Sequence, residues 1–321
     1  MKQVEFERRN EAHWERMEAC LSGGGVNRAD GDTLPPLYRR VCADLALAKH
    51  RRYSPELLDR LNDLASRGYL AIYGAGHRHQ RLWLRFLVVD FPWAIRRNWR
   101  LVVAAAALFL LPLAVMGGAA YATEEAIYSL FGPYEVRSWE GMYEPGRARV
   151  GRERDAGDDW MMFGYYIYNN VGIAFRTFAT GLLFGLGSIF FLVYNGLAIG
   201  AIGGHLTKAG YGITFYPFVV GHSALELTGI VLSGAAGLKL GAALVAPGSL
   251  SRLGALRVAA GEAAVIVYGA GAMLVLAAAV EAFWSARSGL PAPLRYGMGG
   301  VLWVLVLSYV TSAWRLRPRG S

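Results

Sequence analysis

Residues 101–122 read LVVAAAALFLLPLAVMGGAAYA, twenty-two positions without one charged side chain. A helix rises about 1.5 Å per residue, so a run of this length crosses the roughly 30 Å hydrocarbon layer of a bilayer. Directly before it stand Arg96, Arg97 and Arg100, directly after it the acidic pair Glu124 and Glu125. Cytoplasmic loops collect Lys and Arg, so this first span is expected to run from inside to outside. Further apolar stretches follow at 161–205, 213–245, 261–284 and 296–314. The whole chain is apolar in proportion: 54% hydrophobic and 18% charged residues, with mean hydropathy +0.29. An all-α, polytopic membrane protein is the fold class these numbers imply.

Working outward, residues 1–100 carry 18 basic against 12 acidic side chains, residues 123–160 carry 5 against 9, and residues 161–321 carry 10 against 3. The cations lie beside apolar stretches, where positive-inside bias and anionic headgroups account for them, so nucleic acid is not an expected partner and the lipid bilayer is. Residues 1–100 form the expected cytoplasmic and interfacial helical region and residues 101–321 the transmembrane bundle, with 123–160 as an exterior segment. The expected location is a bacterial inner membrane, with the N-terminus cytoplasmic. The N-terminal stretch alternates acids and bases and has no apolar core ahead of a cleavage site, so no signal peptide is read there. Cys20 and Cys42 both fall in the basic region and fit reduced thiols.

Apolar spacing predicts helices at 3–21, 34–50 and 54–73, the last opened by Ser54-Pro55-Glu56. Residues 77–100 mix Trp83, Phe86, Phe91, Trp93 and Trp99 with eight Arg or His positions, the composition of an interfacial helix, broken at Pro92. The stretch 161–205 is twice a single span. Its first part, 165–180, is read as interfacial or as a short broken helix, and its second part, 181–204, as a crossing to the inside. Residues 213–245 are interrupted by Gly-Ala-Ala-Gly at 234–237. Five simple crossings would leave the C-terminal RLRPRGS outside, against the positive-inside bias. An even number is therefore favoured, with one ambiguous region acting as a re-entrant or broken helix or splitting into two passes, and both termini inside.

Trp14 with Met17-Glu18, Leu37-Tyr38-Arg39-Arg40, Ala43-Asp44-Leu45-Ala46, Leu61-Asn62-Asp63-Leu64 and FPWAIRRNW at 91–99 are followed in order by Phe184-Gly185-Leu186-Gly187 and by Asn195-Gly196 with Gly200. Then come Gly221-His222 with Leu225-Glu226-Leu227, the small-residue run from Gly234 to Gly241, and Val280-Glu281-Ala282-Phe283. As an ordered set these resemble the stage II sporulation protein M family. The resemblance implies a helical inner-membrane protein without an enzymatic activity of its own, a scaffold or anchor that recruits peptidoglycan-remodelling and other cell-envelope membrane proteins. Sporulation itself is not carried over to this chain.

Among residues that could carry chemistry, His222 and Glu226 are four apart and share a helix face. Glu281 lies in another span and Glu262 near that span's start. Ionisable groups in hydrocarbon are unfavourable unless paired or placed in a wet cavity, which makes this set an intramembrane polar site with three readings: a structural clasp, proton or ion handling in a transporter or channel, or a metal site on His222, Glu226 and Glu281. The spacing lacks the two-histidine pattern of zinc proteases and no partnered nucleophile accompanies it, so a metal-dependent intramembrane hydrolase is the least favoured reading. Asn195 is assigned to the polar site or to a helix interface, and Arg176 to the outer interface. Glycines 181, 185, 187, 196, 200 and 203 form small-residue ridges that permit close helix approach and favour a homodimer slightly. No nucleotide or redox motif occurs, and no cofactor is implied.

Overall fold

The computed structural model describes residues 2–22, 33–73, 82–146, 158–287 and 289–312. Every regular element among them is helical. The glycine-containing run at 23–32, residues 74–81, part of the acidic segment at 147–157 and the basic C-terminal run lie outside the described residues. Two compact units divide the chain, Met1–Phe86 and Leu87–Ser321.

The first unit holds α1 (Gln3–Ser22), α2 (Leu34–His50) and α3 (Pro55–Tyr73). Their apolar stripes meet in a core of Phe6, Trp14, Met17, Leu34, Val41, Leu57, Leu61 and Leu64. Trp14 is fully buried, and its indole Nε1 donates to Asp44 Oδ2 at 3.0 Å, so the polar end of the ring is satisfied inside the core. Ser54 starts α3 as the sequence predicts. Its hydroxyl receives the Leu57 amide at 3.5 Å, while the Gln3 side chain donates to that hydroxyl and accepts from the Ser54 amide, both at 3.0 Å. Cys20 and Cys42 are free thiols, both half-buried.

The second unit begins at Leu87, and the wide turn Phe86–Asp90 passes without a break into α4 (Phe91–Arg97). Helical backbone continues from the wide turn through Pro92, so the break expected there is not seen. Phe91, Pro92, Ala94 and Ile95 are buried, while Leu87, Val88 and Val89 are exposed apolar residues. The larger helices are α5 (Trp99–Ala122), α8 (Asp159–Ala179), α9 (Leu186–Lys208), α10 (Gly212–Val245), α11 (Arg252–Val280) and α12 (Ala292–Ser312), with two short helices, α6 (Glu125–Tyr128) and α7 (Pro133–Met142), after α5. Among the described residues five of these, α5 and α9 to α12, are long and apolar enough to cross a membrane.

Close approaches fix the direction of each helix. Gly196, Gly200 and Gly204 of α9 lie on the backbone of Phe109, Leu113 and Gly117 of α5, both series advancing in steps of four, so α5 and α9 are parallel. The sequence reading had 181–204 returning to the inside. The structure instead has α8 make the return, after which the chain turns sharply at 180–185 and α9 runs in the same direction as α5. The turn uses a three-residue tight helix, Thr180–Leu182, then left-handed Phe184 (φ 53°) and Gly185 (φ 85°). Phe184 pays a steric cost there that glycine would not. The broken helix expected in 161–205 is thus this corner, and the stretch holds two antiparallel helices.

α10 runs opposite to α9, with Gly234 against Leu192, Gly237 against Ser188 and Gly241 against Gly185. It is one continuous helix of 34 residues, and the Gly-Ala-Ala-Gly run is its closest-packed face, not an interruption. α11 is antiparallel to α10, Gly229 lying against Leu274, and α12 is parallel to α10, Gly299 against Val220. Six helices thus pass along one axis, alternating in direction in chain order, and α12 ends at the end where α5 begins, Tyr309 donating to the Leu87 carbonyl at 2.5 Å. That end is the near end and the opposite one the far end. α10 is central, with 61% of its apolar window buried, whereas α5 and α12 have 11% and 17% and leave their apolar surface outward.

Candidate functional site

α10 crosses the bundle centre with His222 and Glu226 one turn apart, in its far-end half. Opposite them, α11 widens into a π turn, Glu281–Ser285, that places Glu281 and Ser285 toward α10. Such widened turns recur at functional sites. Gly221 allows the approach: a Cβ there would stand 3.1 Å from Ser285 Oγ. His222 Nδ1 lies 3.1 Å from Ser285 Oγ, leaving Nε2 to face Glu226 Oε2 at 3.7 Å. One donor atom each from His222, Glu226 and Glu281 falls within 4.8 Å of the other two. His222 is buried and the two carboxylates are half-buried.

These side chains border a cavity of about 310 Å³, walled also by Tyr165, Tyr166, Asn169 and Asn170 of α8, Ile199 of α9, and Trp139, Met142 and Tyr143 at the end of α7. Asn170 is 2% exposed; its Oδ1 accepts from Asn169 Nδ2 at 2.9 Å, while its own Nδ2 has no partner. A buried donor without an acceptor is unfavourable by about 1–3 kcal/mol, and native folds supply a partner, often water or a ligand.

The acidic segment is more than an exterior loop. Ile127 and Val136 bury against Ala201 of α9, and Glu140 Oε1 meets His205 Nε2 at 2.8 Å. Thr214 donates to the Tyr143 carbonyl, and the Tyr143 ring packs edge-on against Phe215 and Phe218 at 5.1 and 5.8 Å. Burial pushes the Tyr143 hydroxyl well above the usual phenol range, and Glu281, Tyr166 and Glu226 push it the same way. It remains a neutral phenol over the cavity.

Behind the site, Arg295 of α12 is 6% exposed and donates to the carbonyls of Ser285 (3.0 Å), Leu290 (3.2 Å) and Arg287. It gathers the carbonyls left free where the wide turn ends, and so positions Ser285, which in turn holds His222.

The structure brings together three of the residues the sequence singles out, His222, Glu226 and Glu281. The others stand elsewhere. Asn195 donates to the Phe191 carbonyl of its own helix at 2.6 Å and does not line the cavity. Glu262 belongs to the near end, where it binds Lys239 Nζ at 2.5 Å and Arg97 at 2.9 Å, Lys239 also donating to Asn98 Oδ1 at 2.7 Å. Arg176 donates to the Gly172 carbonyl at 3.1 Å on the last turn of α8, at the near end of the bundle with the other arginines. Of the glycine ridges, Gly181 and Gly185 pack on α10, Gly196 and Gly200 on α5 and Gly187 on Thr180, while Gly203 keeps open space beside it. The sequence reading missed Tyr143, Tyr166, Asn170 and Arg295. Tyr166 and Asn170 are four apart on α8, the spacing of one helix face, which was a usable signal; nothing in the spacing marks Tyr143 or Arg295.

The sequence model for Stage II sporulation protein M matches residues 104–286, more than half of the chain and every member of the polar site. The chain belongs to the stage II sporulation protein M family. A second model, for a domain of unknown function (DUF8413), matches residues 4–74, the three-helix unit. No curated protein and no solved structure matches.

Proposed function

We propose that this stage II sporulation protein M family member binds a divalent cation within the membrane, at His222, Glu226 and Glu281. The observation that carries this is the convergence of an imidazole nitrogen and two carboxylates from two helices on one buried cavity. One nitrogen with two oxygens suits a first-row divalent ion, and three protein ligands leave a position open toward the void. His222 Nε2 and Glu226 Oε2 stand 3.7 Å apart, beyond hydrogen-bond distance, so this pair does not close on itself and both atoms can serve as ligands.

The near-end ion-pair group of Arg97, Lys239, Glu262 and Asn98 closes the bundle on one side of the site, and Tyr143 covers it on the other. With Arg96, Arg97, Arg100, Arg176, Arg252 and Arg257 at the near end and the acidic segment at the far end, the positive-inside bias supports a cytoplasmic near end and a cation entering past Tyr143 from outside. Purified protein, incubated with Mn²⁺, Fe²⁺, Co²⁺ or Zn²⁺ and desalted, is expected to retain one equivalent of at least one ion, and Glu226→Gln to retain none. Retention that does not change in Glu226→Gln overturns the assignment.

A second reading, an anchor for cell-envelope partners, draws on the family and on the separate helical unit at the N-terminus, whose α1 and α3 are joined by Arg60 with Glu11 and Glu18 and which has a domain model of its own. The two readings are compatible. Deleting residues 2–73 is expected to leave cation retention intact and to abolish association with peptidoglycan-remodelling proteins; association that persists removes the anchor role from this unit.

A further inference from the structure

A second void lies beside the first, on a neighbouring face of α10. Helices α5, α9, α10 and α12 leave an apolar crevice of about 510 Å³ between them. Glycines create it. Gly117, Gly200 and Gly204 are consumed by the contact between α5 and α9, but Gly118 and Gly203 are not: a Cβ on Gly118 would meet nothing within 4 Å, and one on Gly203 would only touch the Phe215 ring, at 3.7 Å. The walls are Leu113, Ala114, Ile199, Val219, Val220 and Leu227.

The crevice runs along α5 from Leu113 to Tyr121, about 12 Å at helical rise. All its long walls belong to helices apolar enough to span the bilayer, so it sits at hydrocarbon depth, where lipid chains are the available solvent. Its character changes toward the far end. There Tyr121, Tyr216 and Tyr296 are exposed, Thr207 Oγ1 and Tyr216 Oη are paired at 2.6 Å, and the exposed Lys208 donates one hydrogen to the Ala122 carbonyl at 3.1 Å. Tyrosines and a lysine at one end of an apolar slot match the interface between chain and headgroup. An ammonium has three donors, so Lys208 keeps two for an anionic group.

We propose that this crevice is a binding seat for one acyl chain of an anionic phospholipid, the headgroup lying against Lys208 at the far end. The seat adjoins the cation site without depending on it: Ile199, Phe215, Val219, Ser223 and Leu227 border both voids. A chain in the crevice therefore supports the wall that the polar cavity uses.

The test uses the full-length protein in nanodiscs containing phosphatidylglycerol or phosphatidylcholine that carries a diazirine in one acyl chain, with cross-links mapped by mass spectrometry. Labelling is expected to concentrate on peptides containing Tyr121, Gly203, Tyr216 and Tyr296, with phosphatidylglycerol labelling several-fold more than phosphatidylcholine. Gly118→Leu fills the slot from α5 and Gly203→Leu from α9; each is expected to reduce crevice labelling at least tenfold. Gly261→Leu, at an exposed glycine of α11 with open space around it, should leave labelling unchanged. Labelling spread evenly over Val103, Leu111, Val115 and Val304, or crevice labelling that persists in both filled variants, overturns the seat. Equal labelling by the two lipids overturns the headgroup assignment. Cation retention by Gly118→Leu reports on the other site separately, so the two readings fail independently.

Discussion

Asn170, in the wall of the cavity that His222, Glu226 and Glu281 border, keeps a buried Nδ2 donor without an acceptor, while the Asn169 amide beside it is engaged. Single-residue changes separate a binding site from a packing feature here. Glu281→Gln removes a ligand atom and keeps volume, and should weaken cation binding by more than the 10- to 100-fold typical of changes to groups that merely support a ligand. Glu262→Gln, in the near-end group, should leave affinity alone and lower stability by loosening Lys239. Equal loss of affinity in both variants would contradict the assignment. Tyr143 supplies a test through pH. Its folded pKa is raised above the unfolded value near 10, so the stability it contributes is complete below about pH 10 and is lost as pH rises beyond it. Tyr143→Phe should therefore flatten the alkaline limb of unfolding. An unchanged alkaline limb would mean that this hydroxyl is not buried.

The pairing of α5 with α9 shows what glycine contributes between elements. A side chain at Gly200 would run into the Leu113 carbonyl, and one at Gly204 into that of Gly117, so Gly200→Leu should force the helices apart and destabilise the protein by at least the 1–3 kcal/mol of ordinary overpacking. Gly118→Leu, one residue along α5 from Gly117, should be tolerated. Thermal melts of the two variants in one detergent check the contrast, and equal midpoints would contradict the helix register. The sequence carries only part of this level. Residues 101–122 are legible because nothing in them conflicts with lipid. α8 is not, because Asn169, Asn170 and Arg176 lower its hydropathy, and the two asparagines do so because they face a polar cavity inside the bundle. The direction of α9 is also hidden, since hydropathy reads the same in either direction; only the partner of the glycine ridge decides it. His222 and Glu226 could be paired from their spacing alone, whereas Glu281 meets them through a wide turn that leaves no periodic trace, and Tyr143 through a loop that folds back between helices.

For the molecule as a whole, the six aligned helices among the described residues leave the start of α5 and the end of α12 at one end, with the arginine cluster, and the described part of the acidic segment at the other. Single-cysteine variants at Glu125 and Ser251, in a chain with Cys20 and Cys42 replaced by serine, should be labelled from opposite sides of the membrane in intact cells, position 125 from outside. Labelling of both from one side would contradict the six-pass arrangement. The architecture joins a central helix carrying the ionisable groups, a near-end ion-pair closure, a tyrosine lid and a lipid-facing crevice on a neighbouring face of that helix. The claim on which the functional account rests is the cation. X-ray absorption on protein loaded with Zn²⁺ in nanodiscs tests it most directly: the account predicts a shell of nitrogen and oxygen at about 2.0–2.2 Å with a single imidazole, lost in His222→Ala. A sulfur shell, two or more imidazoles, or no bound ion would contradict it.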